Sequence, residues 1–138
     1  MDDVFMIHEC PNGLTLLGQP MQGVSSAAMT LMVRCGAAYD PEGVEGAACV
    51  SAEWVLRGAA QRDSRALNDA LDALGVQHSE NVQSEHMRLS AAQLGRNLHQ
   101  VLELYADILQ SPRLEDQSFE PCRALIQQDL QSLDDEPA

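Results

Sequence analysis

The chain has 138 residues, 45% apolar and only 4% aromatic, and its 21 acidic residues against eight basic ones give a formal charge of −13. That length fits one domain or a piece of one, with a core of aliphatic, Ala and Met side chains. The charge excludes a protein that grips nucleic acid by neutralising phosphates and disfavours anionic membrane surfaces; its use is solubility.

No run of the chain has the length of a membrane span, and the start, MDDVFMIHEC, has acids where a secretory signal has bases. The expectation is a cytoplasmic protein. The four cysteines, Cys10, Cys35, Cys49 and Cys122, contain no C-x-x-C pair. In a reducing compartment they read most simply as small buried hydrophobes.

In chain order, residues 4–9 and 14–18 are short β-prone runs around Pro11-Asn12-Gly13, and Asn-Gly there signals a hairpin. Residues 24–35 form a longer strand candidate, followed by a turn-rich loop over 36–46 that holds Asp40-Pro41-Glu42-Gly43. A helix over 45–56 ends near Gly58. A second helix over 63–74 is capped by Asp63 or Ser64, buries Leu67, Ala70, Leu71 and Leu74, and stops at Gly75. Residues 76–83 and 85–91 are paired strands. A helix over 94–110 has the stripe Leu98, Val101, Leu102, Tyr105, Ile108 and Leu109, and Ser111-Pro112 breaks it. The last helix, 114–133, contains Pro121, which is expected to kink or split it. This order predicts an α+β fold, a mainly antiparallel sheet with helices packed on one face. Ending in DDEPA straight after an amphipathic helix, residues 1–138 read as a single N-terminal domain that is incomplete.

The stretches PNGLTLL, VRCGAAYDPEGVEGAA, LRGA, LNDALDALGV and LELYADILQSPRLEDQSFEPCRALIQQDL, in this order and spacing, resemble the N-terminal domain of the insulinase/pitrilysin/mitochondrial-processing-peptidase family. That family includes the inverzincins, zinc peptidases with H-x-x-E-H on a helix. The resemblance covers nearly the whole chain and implies one of two or four related α/β domains that enclose a chamber where peptides are cut.

The family pattern G-x-A-H-F-L-E-H-M-x-F-K-G-T falls on GAACVSAEWVLRGA. Gly46 and Ala48 match. Cys49 stands at the first His, Ala52 at the catalytic Glu, Glu53 at the second His and Trp54 at the Met. Arg57 stands at the Lys, and Gly58 matches. The family's two glutamates seven apart on the last helix, the second a zinc ligand, fall on Cys122 and Asp129. The Asn-Ala that holds substrate backbone on an intervening strand falls on Ser79-Glu80.

In the intact motif two imidazoles at i and i+4 and a carboxylate hold zinc, and the Glu takes the proton of the fourth ligand, water. Ala52 cannot take a proton, which removes a role worth roughly a hundred- to ten-thousand-fold in rate. Cys49, Glu53 and Asp129 remain weak metal candidates, because all three side-chain types ligate zinc. The plainer reading makes Cys49 core-facing and Glu53 a solvated or capping acid, and no cofactor is expected. A Cys49–Cys122 disulfide needs the two helices to touch and an oxidising compartment. Cys49 as a nucleophile needs a neighbouring His, and His78 and His86 lie on nearby strands. The same two histidines facing each other across a hairpin would be a metal pair. His8 and His99 have no visible partner.

The leading expectation is therefore a non-catalytic homologue that forms a chamber or binds peptide, in a homo- or heterodimer with a peptidase-family subunit. Peptide would add as a strand to a sheet edge, a mode that needs no zinc. The alternatives are an active metallopeptidase with the Cys49/Glu53/Asp129 ligand set and a purely structural assembly domain.

Overall fold

The structure, a computed structural model, describes residues 5–134. A hairpin of β1 (Met6–Glu9) and β2 (Thr15–Gly18) opens it, turned by Asn12-Gly13, with Gly13 at φ +86°. The part of the first predicted run at Val4 lies outside the described residues. β3 (Ser26–Val33), β7 (Met87–Leu94) and β6 (Gln77–Val82) form an antiparallel sheet in the order β3-β7-β6. A two-residue ladder, β4 (Gly58–Ala59) with β5 (Arg62–Asp63), was not predicted.

The α+β architecture with helices on one sheet face is as expected. On that face Met87, Leu89 and Ala91 of β7 are buried in one cluster with Leu67, Leu71, Val101, Leu104, Tyr105 and Ile108 from two helices. Those helices are α2 (Ser64–Ala73) and α3 (Leu98–Gln110). α2 has the predicted punctuation: the Asp63 carboxylate accepts from the Ala66 N–H at 2.8 Å, and Gly75 follows at φ +64°. α3 differs from expectation in two ways. β7 runs on to Leu94 and a 3-10 turn over Gly95–Asn97 intervenes, so the helix starts at Leu98. Its buried stripe uses Leu104, and Leu102 is exposed.

α1 (Ala47–Trp54) is shorter than the predicted 45–56 because Gly46 sits at φ +93°, outside helical space. The helix start is satisfied from upstream: the Asp40 carboxylate accepts from the Gly46 N–H at 2.7 Å and the Ala48 N–H at 2.8 Å. Gly36 holds the preceding loop against the β6–β7 turn, where a Cβ would run into the Ser84 carbonyl. α4 (Asp116–Asp134) is one element with Pro121 inside it, so of the kink or split expected there the split does not occur. Pro121 lies little more than one turn in, so its missing N–H costs one internal bond while Trp54 and Phe119, ring centroids 5.0 Å apart, pin the segment to α1. Among the described residues no helix is long and apolar enough to cross a membrane.

Candidate functional site

α1, α4 and the outer strand β6 surround a cavity of about 430 Å³, lined by Cys49, Ala52, Glu53, Glu80, Asn81, Val82, Ile126, Asp129 and Leu130. The spacing i, i+3, i+4 puts Cys49, Ala52 and Glu53 on one face of α1. Asp129 reaches the same cavity from α4 and Glu80 from β6. Five of the seven site residues singled out from sequence therefore converge.

Ala52 is 3% exposed, a methyl group packed into the core cluster where the motif has its proton acceptor. Glu53 is engaged: its Oε1 accepts from Arg57 Nη2 at 2.5 Å, one turn along, and its side chain is 18% exposed. Burial works against the Arg57 charge, but Glu53 and then Cys122 outweigh it and hold the guanidinium above its ordinary pKa. Burial, reinforced by the Asp40 carboxylate, pushes the Cys49 thiol up, so at neutral pH it is the protonated form, a poor nucleophile.

Two predicted site residues are elsewhere. Cys122 is fully buried against Arg57 and does not line the cavity. Ser79 stands opposite Ser90 with its side chain on the sheet face away from Glu80, because side chains alternate along a strand. All four cysteines are free thiols, Cys49 and Cys122 included. His78 is opposite Ala91 and the His86 carbonyl accepts from the Gln83 N–H, so the two histidines do not face each other and neither lines the cavity. His78 Nδ1 instead lies 3.7 Å from Glu80 Oε2, and His99 has a partner after all in Glu103, at 3.5 Å.

Zinc can be tested against this donor set. Among the described residues no three His, Cys, Asp or Glu side chains stand close enough to share one metal ion. Of the three candidates, Glu53 is taken by Arg57. The residues as arranged do not fit the ion.

The backbone beside the cavity is open. The Gln83-to-His86 bond fixes the alternation of the β6–β7 ladder, so residues 81, 79 and 77 exchange bonds with β7. The N–H and C=O groups of His78, Glu80 and Val82 point the other way, along an edge that no described strand covers. Sequence reasoning missed Arg57 as the partner of Glu53, although Glu–Arg at i, i+4 is a legible ion-pair spacing. It also missed the cavity walls Ile126 and Leu130, which had no chemical signature.

Comparison with known proteins gives the context. The family pattern of Insulinase (Peptidase family M16) matches residues 19–138. The chain is 25% identical over 137 residues to an uncharacterized zinc protease of Rickettsia bellii, covering 99% of this chain and 33% of the relative. It is 24% identical to a probable mitochondrial-processing peptidase subunit beta of Arabidopsis thaliana, over 90% of this chain and 23% of that one. It is 26% identical to cytochrome b-c1 complex subunit 1 of Bos taurus, over 93% of this chain and 26% of that one. A crystal structure of a peptidase M16 inactive domain from Pseudomonas fluorescens superimposes with a TM-score of 0.85 at 16% identity, over 96% of this chain and 32% of the other. The chain thus spans between about a quarter and a third of the relatives it matches.

Proposed function

The chain belongs to the insulinase family, peptidase family M16, and from that premise we propose that it is a non-catalytic member that holds extended peptide and pairs with a peptidase-family subunit. The observation that carries this reading is Ala52: a buried methyl stands where a water-activating carboxylate is needed. The residues at the two His positions support it, one a protonated thiol and the other locked to Arg57. Peptide holding is supported by the open β6 edge, whose free groups at Glu80 and Val82 flank the cavity. A strand added there gains backbone hydrogen bonds without any metal, and its alternate side chains enter the cavity.

The test is a joint assay of cleavage and binding. With an unfolded substrate such as casein and added zinc, the purified chain should not cleave and should hold no stoichiometric zinc. A labelled extended peptide should bind, and Glu80→Pro, which removes an outward N–H of β6, should abolish that binding. Cleavage that a chelator stops and zinc restores would overturn the non-catalytic reading. Binding indifferent to Glu80→Pro would overturn the strand-addition reading.

Convergence of Cys49, Glu53 and Asp129 on one cavity favours a second reading, a metallopeptidase with an unusual ligand set. It requires Glu53 to leave Arg57 and Cys49 to lose its proton. Zinc held at one ion per chain and lost in Cys49→Ala would establish it. The third reading, a structural assembly domain, draws on the Bos taurus relative, which is named as a subunit of a complex. It predicts a stable complex with a family subunit and no peptide binding.

A further inference from the structure

Two walls of the cavity are held from one place. Cys49, on the α1 wall, directly follows Ala48, whose N–H donates to the Asp40 carboxylate at 2.8 Å. Val82, on the β6 wall, directly precedes Gln83, whose carbonyl accepts from the Ala37 N–H at 3.1 Å. Ala37 and Asp40 belong to a single 3-10 turn, Ala37–Tyr39 with Asp40 at its C-terminal end. The Asp40 N–H closes that turn on the Ala37 carbonyl at 3.2 Å. One short turn is therefore bonded next to both walls.

Each attachment is double. At the helix, the two carboxylate oxygens of Asp40 take separate N–H groups, those of Gly46 and Ala48, so the side chain cannot swing without losing one. At the β6–β7 hairpin, the Ala37 and Ala38 N–H groups donate to successive carbonyls, Gln83 and Ser84, the second at 2.8 Å. Gly36 permits this approach. A Cβ there would run into the Ser84 carbonyl and stand 2.6 Å from that of Gln83. The turn is braced from the end of β3 as well. Arg34 Nε donates to the Tyr39 hydroxyl at 2.7 Å, and the guanidinium carbon lies 5.2 Å from the centre of the same ring. Every bond in this brace is made within residues 34–84.

We infer that residues 34–40 are a strap that sets the spacing between α1 and β6, and that Asp40 is a positioning residue for the cavity between them. A long loop absorbs a displacement in its own torsions. A three-residue turn bonded at both ends passes it on. The helix cap and the hairpin tip are therefore coupled, and the coupling is reciprocal: loosening either end loosens the other. Only the consequence for peptide rests on the peptide-holding reading above. A strand added to the β6 edge meets a cavity whose width the strap has already fixed, which lowers the ordering cost of binding.

Amide hydrogen exchange by NMR on the whole chain tests the strap with no ligand present. Asp40→Ala cuts the helix end, and the Ala37 and Ala38 N–H groups at the hairpin end should then exchange at least about tenfold faster, relative to amides of α3. Gly36→Ala cuts the hairpin end, and the Ala48 and Val50 N–H groups of α1 should respond in the same way. Tyr39→Phe keeps the ring but removes the hydroxyl that Arg34 bonds. It is the milder cut if Gly36→Ala does not fold, and should speed both ends at least about twofold. Asp63→Ala removes a cap of the same kind from α2, away from both walls, and should leave both ends unchanged. In a second arm, Asp40→Ala should weaken binding of a labelled extended peptide at least about threefold, and Asp63→Ala should not. Exchange that rises only at the end that was cut overturns the strap. So does a rise in Asp63→Ala as large as that in Asp40→Ala. Unchanged peptide affinity in Asp40→Ala overturns its positioning role. A parent chain that binds no peptide overturns the peptide-holding reading instead, and the exchange result alone then decides the strap.

Discussion

Arg57 Nη2 lies 2.5 Å from Glu53 Oε1, and the buried Cys122 on α4 adds to Glu53 in holding the guanidinium charged. One side chain ties Glu53, which stands at a family zinc-ligand position, to its own helix turn beside Cys122. The acid on the α1 face of the cavity is thus neutralised from within the protein.

Arg57→Ala should therefore cost more than an ordinary surface pair. The Glu53 carboxylate, mostly shielded, loses its partner. Because Arg57 is itself more than a third exposed, the loss is limited by solvent screening to about 1 kcal/mol in urea unfolding. Arg65→Ala is the control. Arg65 is 91% exposed and 3.9 Å from Asp69, and its removal should change stability by less than about 0.5 kcal/mol. Equal effects of the two substitutions would contradict the half-buried bridge.

Asp40 links the loop to the chemistry of Cys49. It caps α1 through two N–H groups and also raises the Cys49 thiol, after burial the second cause. Asp40→Ala should cost about 1–2 kcal/mol as a lost cap. It should also move the Cys49 pKa back down. Iodoacetamide labelling of Cys49 followed against pH by mass spectrometry should be slower than that of a free thiol at pH 7, since a raised pKa leaves less thiolate. In Asp40→Ala the profile should shift to lower pH. An unchanged profile would mean that burial alone sets the thiol.

The fold was readable where one residue enforces one geometry. Asp63, Gly75 and the Asn12-Gly13 turn each act on their immediate neighbours, and each appears as predicted. The misplaced boundary between β7 and α3 arose because Leu94, Leu98 and Val101 continue a helical period, while sheet pairing with β3 takes residues 92–94 as strand. The cost is visible in Gln93, 4% exposed, neither of whose amide atoms has a hydrogen-bond partner. Similarly, α1 is capped by Asp40 from across a loop, which no local pattern encodes. In the site, Cys49, Ala52 and Glu53 were legible because helical spacing alone puts them on one face. Cys122 was not. Seven residues keep it on nearly the same face as Asp129 but about 10 Å along the axis, deep under Arg57 rather than at the cavity.

Tyr105 gives the chain an alkaline limit. It is 2% exposed, and burial, with the Glu80 carboxylate adding to it, pushes the phenol up to about 12. In the unfolded chain it titrates near ~10. The folded state thus holds the proton more tightly. Its contribution is whole below pH ~10 and is lost as pH rises from there through about 12, on the order of 2–3 kcal/mol in all. Urea midpoints should fall across that window, and Tyr105→Phe, with nothing to ionise, should flatten the fall. A decline as steep in the Phe variant would place the alkaline sensitivity elsewhere.

Restoring the imidazoles tests whether the cavity still has the shape for a metal. Cys49→His with Glu53→His puts two neutral donors at i and i+4 on the face of α1 that looks toward Asp129. It also releases Arg57 from its partner. Elemental analysis after dialysis should find about one zinc per chain in the double variant, with micromolar or tighter affinity, and binding should fall by at least about tenfold on adding Asp129→Asn. Cleavage should still be absent, because Ala52 supplies no base, and should appear only when Ala52→Glu is added. Ala52 is packed against the core, so the added carboxylate should also lower stability by about 1–3 kcal/mol. Zinc binding by the double variant without any dependence on Asp129 would show that α4 no longer faces the motif helix as a ligand-bearing helix must.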